Sequence, residues 1–276
     1  MDEPVIDEMS SPAVRFGQEL SRLREARGWS QVGLGKRMGY SNTLISYIER
    51  AKRPPTKNFA VKADTVFETG GTFYELWCRH AKEGLLEGFE EFADEEAKCR
   101  RLREFALTIV TGLFQTQEYA EALALAAVAR GAISQSEADQ RVEFLLARQR
   151  VLDRKKPPRI HLVLDEDCLV RTVGGRDVMR RQLDHIVELA ARPNITIQVA
   201  PFSLGENLPF KMPATLLDLP DGTVVGYAES YARGSLERRR EIVSVWEREY
   251  DQLVVEALPK AASLALVHKA RRELTP

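Results

Sequence analysis

Tyr40–Thr56 reads YSNTLISYIERAKRPPT, one short helix followed by a basic, proline-stopped tail. Ser41 is a natural N-cap. Leu44, Ile45 and Ile48 fall on one face, as a helix packed on a core requires. Yet the first turn carries Asn42 and Thr43, whose short polar side chains compete for backbone hydrogen bonds and stabilise a helix poorly. Arg50, Lys52, Arg53 and Lys57 follow the last turn. Small polar groups at the start of a helix and cations at its exit suit an element that enters a DNA groove. The first kind meets base edges and the second meets phosphates.

The flanks agree with this. Val14–Arg27 has Phe16, Leu20 and Leu23 at helical spacing and ends at Gly28. Ser30 caps a second helix, Gln31–Met38, with Leu34 and Met38 inward, and Gly39 makes the turn to the helix that Ser41 caps. Two short helices joined by a tight Gly-containing turn form a helix-turn-helix, whose second helix reads the major groove with its N-terminal residues. Residues 58–68 and 72–82 predict two more helices, split by Gly70-Gly71, with Phe67, Phe73 and Trp77 packing on the first three.

The stretch LREARGWSQVGLGKRMGYSNTLISYIERAKRPPT resembles the Xre, or lambda-repressor-like, family, which commonly reads LRxxRGxSQxxLAxxxGxSxxxISxIERGKRxPT. The resemblance covers about Phe16–Trp77. It implies that Gln31, at a helix N-terminus where an anion is favoured, holds a DNA phosphate. It places Asn42, Thr43 and Tyr47 at base-reading positions, with Ser46 on the same outer face. Ser41 serves the cap and a phosphate, and Arg50, Lys52 and Arg53 contact the backbone. Asn pairs bidentately with adenine, and a Thr methyl meets the thymine methyl. For Tyr47 a partly packed ring is the competing role. Two departures stand out: Gly35 replaces the usual Ala, and Ala51 replaces the Gly of ERGK, which commonly adopts a left-handed conformation.

The chain has 276 residues, 44% hydrophobic and 29% charged, with a formal net charge of -1. That is the composition of a globular protein, with room for one large domain or two ordinary ones. The net charge hides an asymmetry. Ser10–Lys57 holds ten Lys/Arg and three acids, a balance of +7, so the rest carries -8. A basic end on an acidic body is the footprint of a small nucleic-acid-binding module fused to something else, the competing possibility being a solvated basic face. No apolar run reaches membrane-spanning length. The opening MDEPVIDEMSSP lacks the apolar stretch of a signal peptide and is expected to be a frayed tail. Cys78, Cys99 and Cys168 have no paired spacing, which argues against a zinc site or a disulfide framework and suits a reducing cytoplasm.

Beyond residue 83 the pattern becomes mixed α/β. EGLLEGFEEFADEEAKCRRLREF is helical in period and is expected to bridge two domains. Ser134-x-x-Glu137 is a capping box opening a helix to about Asp153. Arg159–Leu164 and Ile195–Val199 alternate as strands around a helix at Arg176–Ala191, which implies parallel pairing. Leu216–Leu219 and Val224–Ala228 flank PDGT as an antiparallel hairpin, and Ile242, Trp246, Leu253 and Ala257 stripe a closing helix. The fold class expected is therefore α+β multidomain. Residues 1–12 form a disordered tail, residues 13–83 an all-α five-helix domain, and residues 84–276 a mixed α/β domain with a small sheet.

TGLFQTQEYA (Thr111–Ala120), ARQRVL (Ala147–Leu152), RTVGGRDVMRRQLDHIVELA (Arg171–Ala190), NITIQVAPFSLG (Asn194–Gly205) and LPKAASLALV (Leu258–Val267) together resemble the sensor-like C-terminal domain behind the Xre module in WhiJ-like regulators of actinobacteria. Their hallmark is PGLLQTxEYA. The resemblance implies a cytoplasmic, nucleoid-associated transcription regulator that binds double-stranded DNA as a homodimer. Its input is a small protein encoded beside it or a small ligand.

No catalytic or metal motif stands out. His80, His161, His185 and His268 are scattered. Asp165-Glu166-Asp167-Cys168 follows a strand, as catalytic acids sometimes do, and also suits a helix first turn. Val173–Asp177 opens a helix without the rest of a phosphate-binding pattern. Gln115, Glu118 and Tyr119 either line a ligand pocket or belong to a helix start that Thr116 caps. No cofactor and no enzyme activity are expected. The alternative function is that of an antitoxin-like, partner-binding protein whose DNA binding is autoregulatory.

Overall fold

The computed structural model describes residues 12–83, 85–230 and 233–274. Of the tail expected at residues 1–12, only Pro12 falls within them. The chain divides into two compact units, one containing residues 12–83 and 134–144, the other residues 85–133 and 145–274.

The first unit is helical: α1 (Pro12–Ala26), α2 (Gln31–Met38), α3 (Asn42–Glu49), α4 (Lys57–Phe67) and α5 (Thr72–Glu83). Three of the starts carry a side-chain cap. Ser30, Ser41 and Thr56 accept the backbone N–H of Gly33, Leu44 and Phe59. Asp64 of α4 accepts the amides of Phe73 and Tyr74 at 2.8 Å each, so it closes the first turn of α5. Phe16, Leu20, Leu34, Ile45, Ile48 and Trp77 are among the buried residues of the shared core, and Phe73 packs its ring 5.1 Å from Phe16. The Gly35 departure has a packing reason. A Cβ there would sit 2.6 Å from the Tyr40 carbonyl oxygen, so α2 approaches the turn into α3 too closely for alanine. Residues 134–144 begin α8 (Gln135–Arg148). Its capping box is present: Ser134 N–H donates to Glu137 Oε2 at 2.7 Å, and Glu137 N–H to Ser134 Oγ at 3.2 Å.

The second unit is built on one six-stranded sheet in the order β3-β2-β1-β4-β5-β6. The strands are β1 (Arg101–Ala106), β2 (Arg159–Asp165), β3 (Ile195–Ala200), β4 (Ala214–Asp218), β5 (Val224–Glu229) and β6 (Gly234–Glu237). β1, β2 and β3 run parallel, with α10 (Arg176–Ala190) between β2 and β3, while β4, β5 and β6 continue antiparallel. Side chains alternate between two cores. Leu102, Leu162, Leu164, Ile197 and Leu217 pack on one face with Met179, Leu183 and Ile186 of α10. Phe105, Val163 and Leu216 pack on the other with Val243, Tyr250 and Leu253 of α11 (Arg240–Glu256). The chain closes with α12 (Lys260–Glu273).

The predicted parallel pair and hairpin are in place. The stretch expected as one bridging helix is not. It is α6 (Phe89–Lys98) followed by β1, the strand at the parallel–antiparallel junction of the sheet. Its alternation was masked by charge: Arg103 is 4% exposed yet lies in the sheet because Asp218 at 2.7 Å and Glu247 at 3.1 Å receive its guanidinium. On α11 the deepest residues are Val243, Tyr250 and Leu253, while Trp246 is only partly buried.

Gly35→Ala should lower the stability of the first unit by about 1–3 kcal/mol, the range of an overpacked site. Urea denaturation followed by Trp29 and Trp77 fluorescence measures it, and an unchanged midpoint would show that the turn yields freely.

Candidate nucleic-acid interface

Three helices converge on one carboxylate. Glu49, the last residue of α3, receives Arg24 Nε of α1 at 2.5 Å on Oε1 and Arg24 Nη2 at 3.1 Å on Oε2. Gln31 Nε2, in the first turn of α2, donates to the same Oε2 at 2.7 Å. Arg24 also donates to the Trp29 carbonyl at 3.0 Å, fixing the loop between α1 and α2. Both ionised side chains are largely out of water, 11% and 5% exposed. The hydrogen bond to Glu49 holds the Arg24 guanidinium above its already high ordinary pKa. A second constraint lies beside it: a Cβ at Gly17 would sit 2.5 Å from the Ile48 carbonyl oxygen, so α1 lies directly on the end of α3.

So braced, α3 buries Ile45 and Ile48 and exposes Ser41, Asn42 and Thr43. Leu44 is half-buried against the core. Tyr47, one turn on, is 42% exposed, with the Arg50 guanidinium 5.8 Å from its ring centre. Arg50 Nη2 donates to Ser46 Oγ at 2.8 Å and Nε to the Ser46 carbonyl at 3.1 Å, so the two expected contact residues are already joined to each other. Asn42, Thr43, Ser46 and Tyr47 thus share one helix, and Gln31 is tied to its end through Glu49.

The exit from α3 settles the conformation at Ala51. Ala51 has φ 51°, the left-handed region. Its N–H reaches the Ile48 carbonyl at 3.0 Å, and the Lys52 N–H reaches that of Tyr47 at 2.8 Å. Those two bonds make a Schellman ending with alanine where glycine is usual. The exit therefore takes a left-handed turn, at a steric cost of roughly 1–2 kcal/mol for alanine, and leaves Lys52 and Arg53 exposed.

The Glu49 brace is not evident from the sequence pattern alone, although a signal exists. Arg24 falls four residues after Leu20, on the inward stripe of α1 rather than its outer face. In the second unit, Gln115 and Tyr119 are both tied to the Val110 backbone, Gln115 also lines a cavity beside β1, and Glu118 lies on the surface. Tyr119 is fully buried, and its hydroxyl accepts the Val110 N–H at 3.3 Å. Burial pushes its phenol up to about 12. Gln115 Nε2 donates to the Val110 carbonyl at 2.7 Å. Glu118 is exposed in the first turn of α7 (Gln117–Ala129), which Thr116 caps. Asp165 accepts the Asp167 N–H at 2.8 Å and opens the short α9 (Asp167–Val170). Among the described residues no group of three or more His, Cys, Asp or Glu side chains is placed to hold a metal, and no helix is long and apolar enough to cross a membrane.

Residues 15–73 match the family model of a helix-turn-helix domain, and residues 89–269 match that of a domain of unknown function, DUF5753. No curated protein and no solved structure matches the chain.

Two substitutions probe the geometry. Glu49→Ala should destabilise the first unit by about 3–5 kcal/mol, because it strands a buried guanidinium; chemical denaturation reads the loss. Ala51→Gly should stabilise it by about 1 kcal/mol, relief of the left-handed cost less the greater freedom of the unfolded chain, seen as a raised denaturation midpoint.

Proposed function

We propose a function from one premise: the chain belongs to the DUF5753 family and carries a helix-turn-helix domain ahead of that region. A helix-turn-helix domain makes it a DNA-binding regulator in outline. In our reading it is a sequence-specific transcription regulator of the Xre type, akin to the WhiJ-like group. Residues 13–83 bind DNA, and residues 84–276 serve dimerisation and receive a protein or small-molecule signal. It acts in the cytoplasm and is not an enzyme.

One observation carries the proposal. Asn42, Thr43 and Tyr47 stand exposed along a helix whose opposite face is buried and whose end is clamped by Arg24 and Gln31. Exposed amide, methyl and hydroxyl groups on a rigid helix are what base-edge recognition needs. Gln31 and the N-terminus of α2 offer a phosphate site. Ser41 sits at the start of α3 beside another, and Ser46 with Arg50 extends the contact along the groove. Lys52 and Arg53 add backbone affinity without choosing a sequence. A single module offers few base contacts, so two copies on half-sites about one helical turn apart, or a multiple of it, are expected.

Asn42→Ala should cost about 1–3 kcal/mol and relax preference at one base position. Arg53→Ala should weaken all sequences alike and reduce the salt slope by about 1. DNA fragments selected from a random pool, titrated at several salt concentrations, give both quantities. Unchanged affinity and preference in Asn42→Ala would overturn the register of the reading helix.

A further inference from the structure

The sheet face that carries Leu102, Ala106, Leu162, Leu164 and Leu217 is apolar except along one row. Glu104 of β1 lies on it, paired with Leu162 on one side and Thr215 on the other, and Thr215 is paired with Tyr227. Against this row lies a cavity of about 190 Å³, walled by Phe89, Phe92, Arg148 and Glu229 with Glu104 and Tyr227. It sits at the carboxyl end of β1. There the chain departs toward β2 on one side while β4 lies on the other, the kind of switch point where open sheets bind ligands. Its size is below the roughly 300–1,000 Å³ of drug-sized sites, so its occupant is compact.

The charges around it are unevenly satisfied. Arg148 is spent on Glu96, with Nε and Nη2 each 2.8 Å from a carboxylate oxygen. Tyr227 donates to Glu229 at 2.9 Å. Glu104 forms no ion pair among the described residues. Burial first, then the charges of Glu96 and Glu229, push its carboxyl up to about 8 against the pull of Arg148 and a hydrogen bond with Thr111. A leucine there would fill the face at no electrostatic cost. Glu96, Glu104 and Glu229 outnumber the one guanidinium, which is bound to Glu96, so the local field favours an incoming cation. Arg148 lies 4.7 Å from the Phe89 ring centre and Phe92 stacks on Tyr227 at 4.0 Å, and the ring surface left facing the cavity offers a wall to an apolar body.

We propose that this cavity binds a compact organic amine, whose ammonium pairs with Glu104 and whose apolar body lies against Phe89 and Phe92. The proposal rests on the C-terminal region receiving a small-molecule signal, and it names the chemistry of that signal. No covalent step is involved. Near neutral pH the Glu104 carboxyl gives its proton to the buffer as the ammonium takes its place.

The test uses the full chain with butylamine, cyclohexylamine and phenethylamine, each beside the alcohol and the carboxylate of the same skeleton. The amines should raise the melting temperature, and the alcohols and carboxylates should not. Glu104→Gln, close in shape to the protonated side chain, should bind amines roughly tenfold to a hundredfold more weakly. Calorimetry of the unaltered protein in buffers of different ionisation enthalpy should show about one proton released, a readout that needs no variant. Failure of every amine, preference for a carboxylate, retained binding in Glu104→Gln, or no proton release would each overturn the site. DNA affinity in the same samples keeps the two proposals apart. Amine binding that leaves it unchanged upholds the site and removes the signalling role; intact DNA binding with no amine binding removes the site alone.

Discussion

The geometry of the helix-turn-helix depends on the Glu49 carboxylate. It terminates α3, takes two nitrogens of Arg24 from α1 and one from Gln31 of α2. A buried ion pair of this kind stabilises little in net terms, because desolvation offsets most of the attraction. What it does impose is register. The guanidinium–carboxylate fork admits one orientation, so α3 is fixed axially and in rotation relative to α1. The glycines act in the same direction by steric means: Gly17 lets α1 touch the end of α3, and Gly35 lets α2 touch its beginning. A reading helix needs such fixation, since a shift of one residue turns a different set of side chains outward.

A parallel logic governs β1. Arg103 and Glu104 are adjacent, so the pleat sends them to opposite faces of one sheet. Arg103 finds Asp218 and Glu247 and becomes part of the structure. Glu104 forms no ion pair among the described residues, and burial pushes its carboxyl well above the usual carboxylate range. The same strand thus carries one charge that the fold satisfies and one that it leaves to something else. This asymmetry distinguishes the cavity over Glu104 from an ordinary packing defect.

How much of this the sequence disclosed depended on whether local chemistry and tertiary role agreed. In the first unit they agree almost everywhere: caps at Ser30, Ser41 and Thr56, apolar residues at helical spacing, glycines at the turns. All five helices were legible for that reason. The hairpin at PDGT and the strands beginning at Arg159 and Ile195 showed clean alternation. β1 did not, because Arg103 and Glu104 stand at two of its inward positions, and the partners of Arg103 lie 115 and 144 residues away. β6 is four residues long and carries little apolar signal. In the candidate interface, residue types on the outer face of α3 were legible, but the brace behind them was not: Arg24 on the inward stripe of α1 was the one hint, while Gln31 and Glu49 look solvent-facing until the helices are packed.

The basic surplus of the first unit can now be weighed more closely. The balance of +7 over Ser10–Lys57 counts cations that the fold has already engaged. Arg24 is neutralised by Glu49, and Arg22 pairs with Glu19 at 2.7 Å. Arg27 donates to the Phe67 carbonyl at 2.8 Å, and Arg37 to that of Gly33 at 2.9 Å beside the Trp29 ring. Carbonyls and rings leave the charge in place, so the long-range field that draws the chain to DNA persists. Direct phosphate contacts are another matter, since each requires a guanidinium or ammonium able to leave its present partner. Lys52 and Arg53 stand exposed at the exit of α3, and Arg50 reaches only as far as Ser46 allows. Two or three phosphates per module yield a weak, shallow salt dependence. Specific affinity from so small a footprint requires a second copy on the same DNA, and the proposed dimer follows from that shortage.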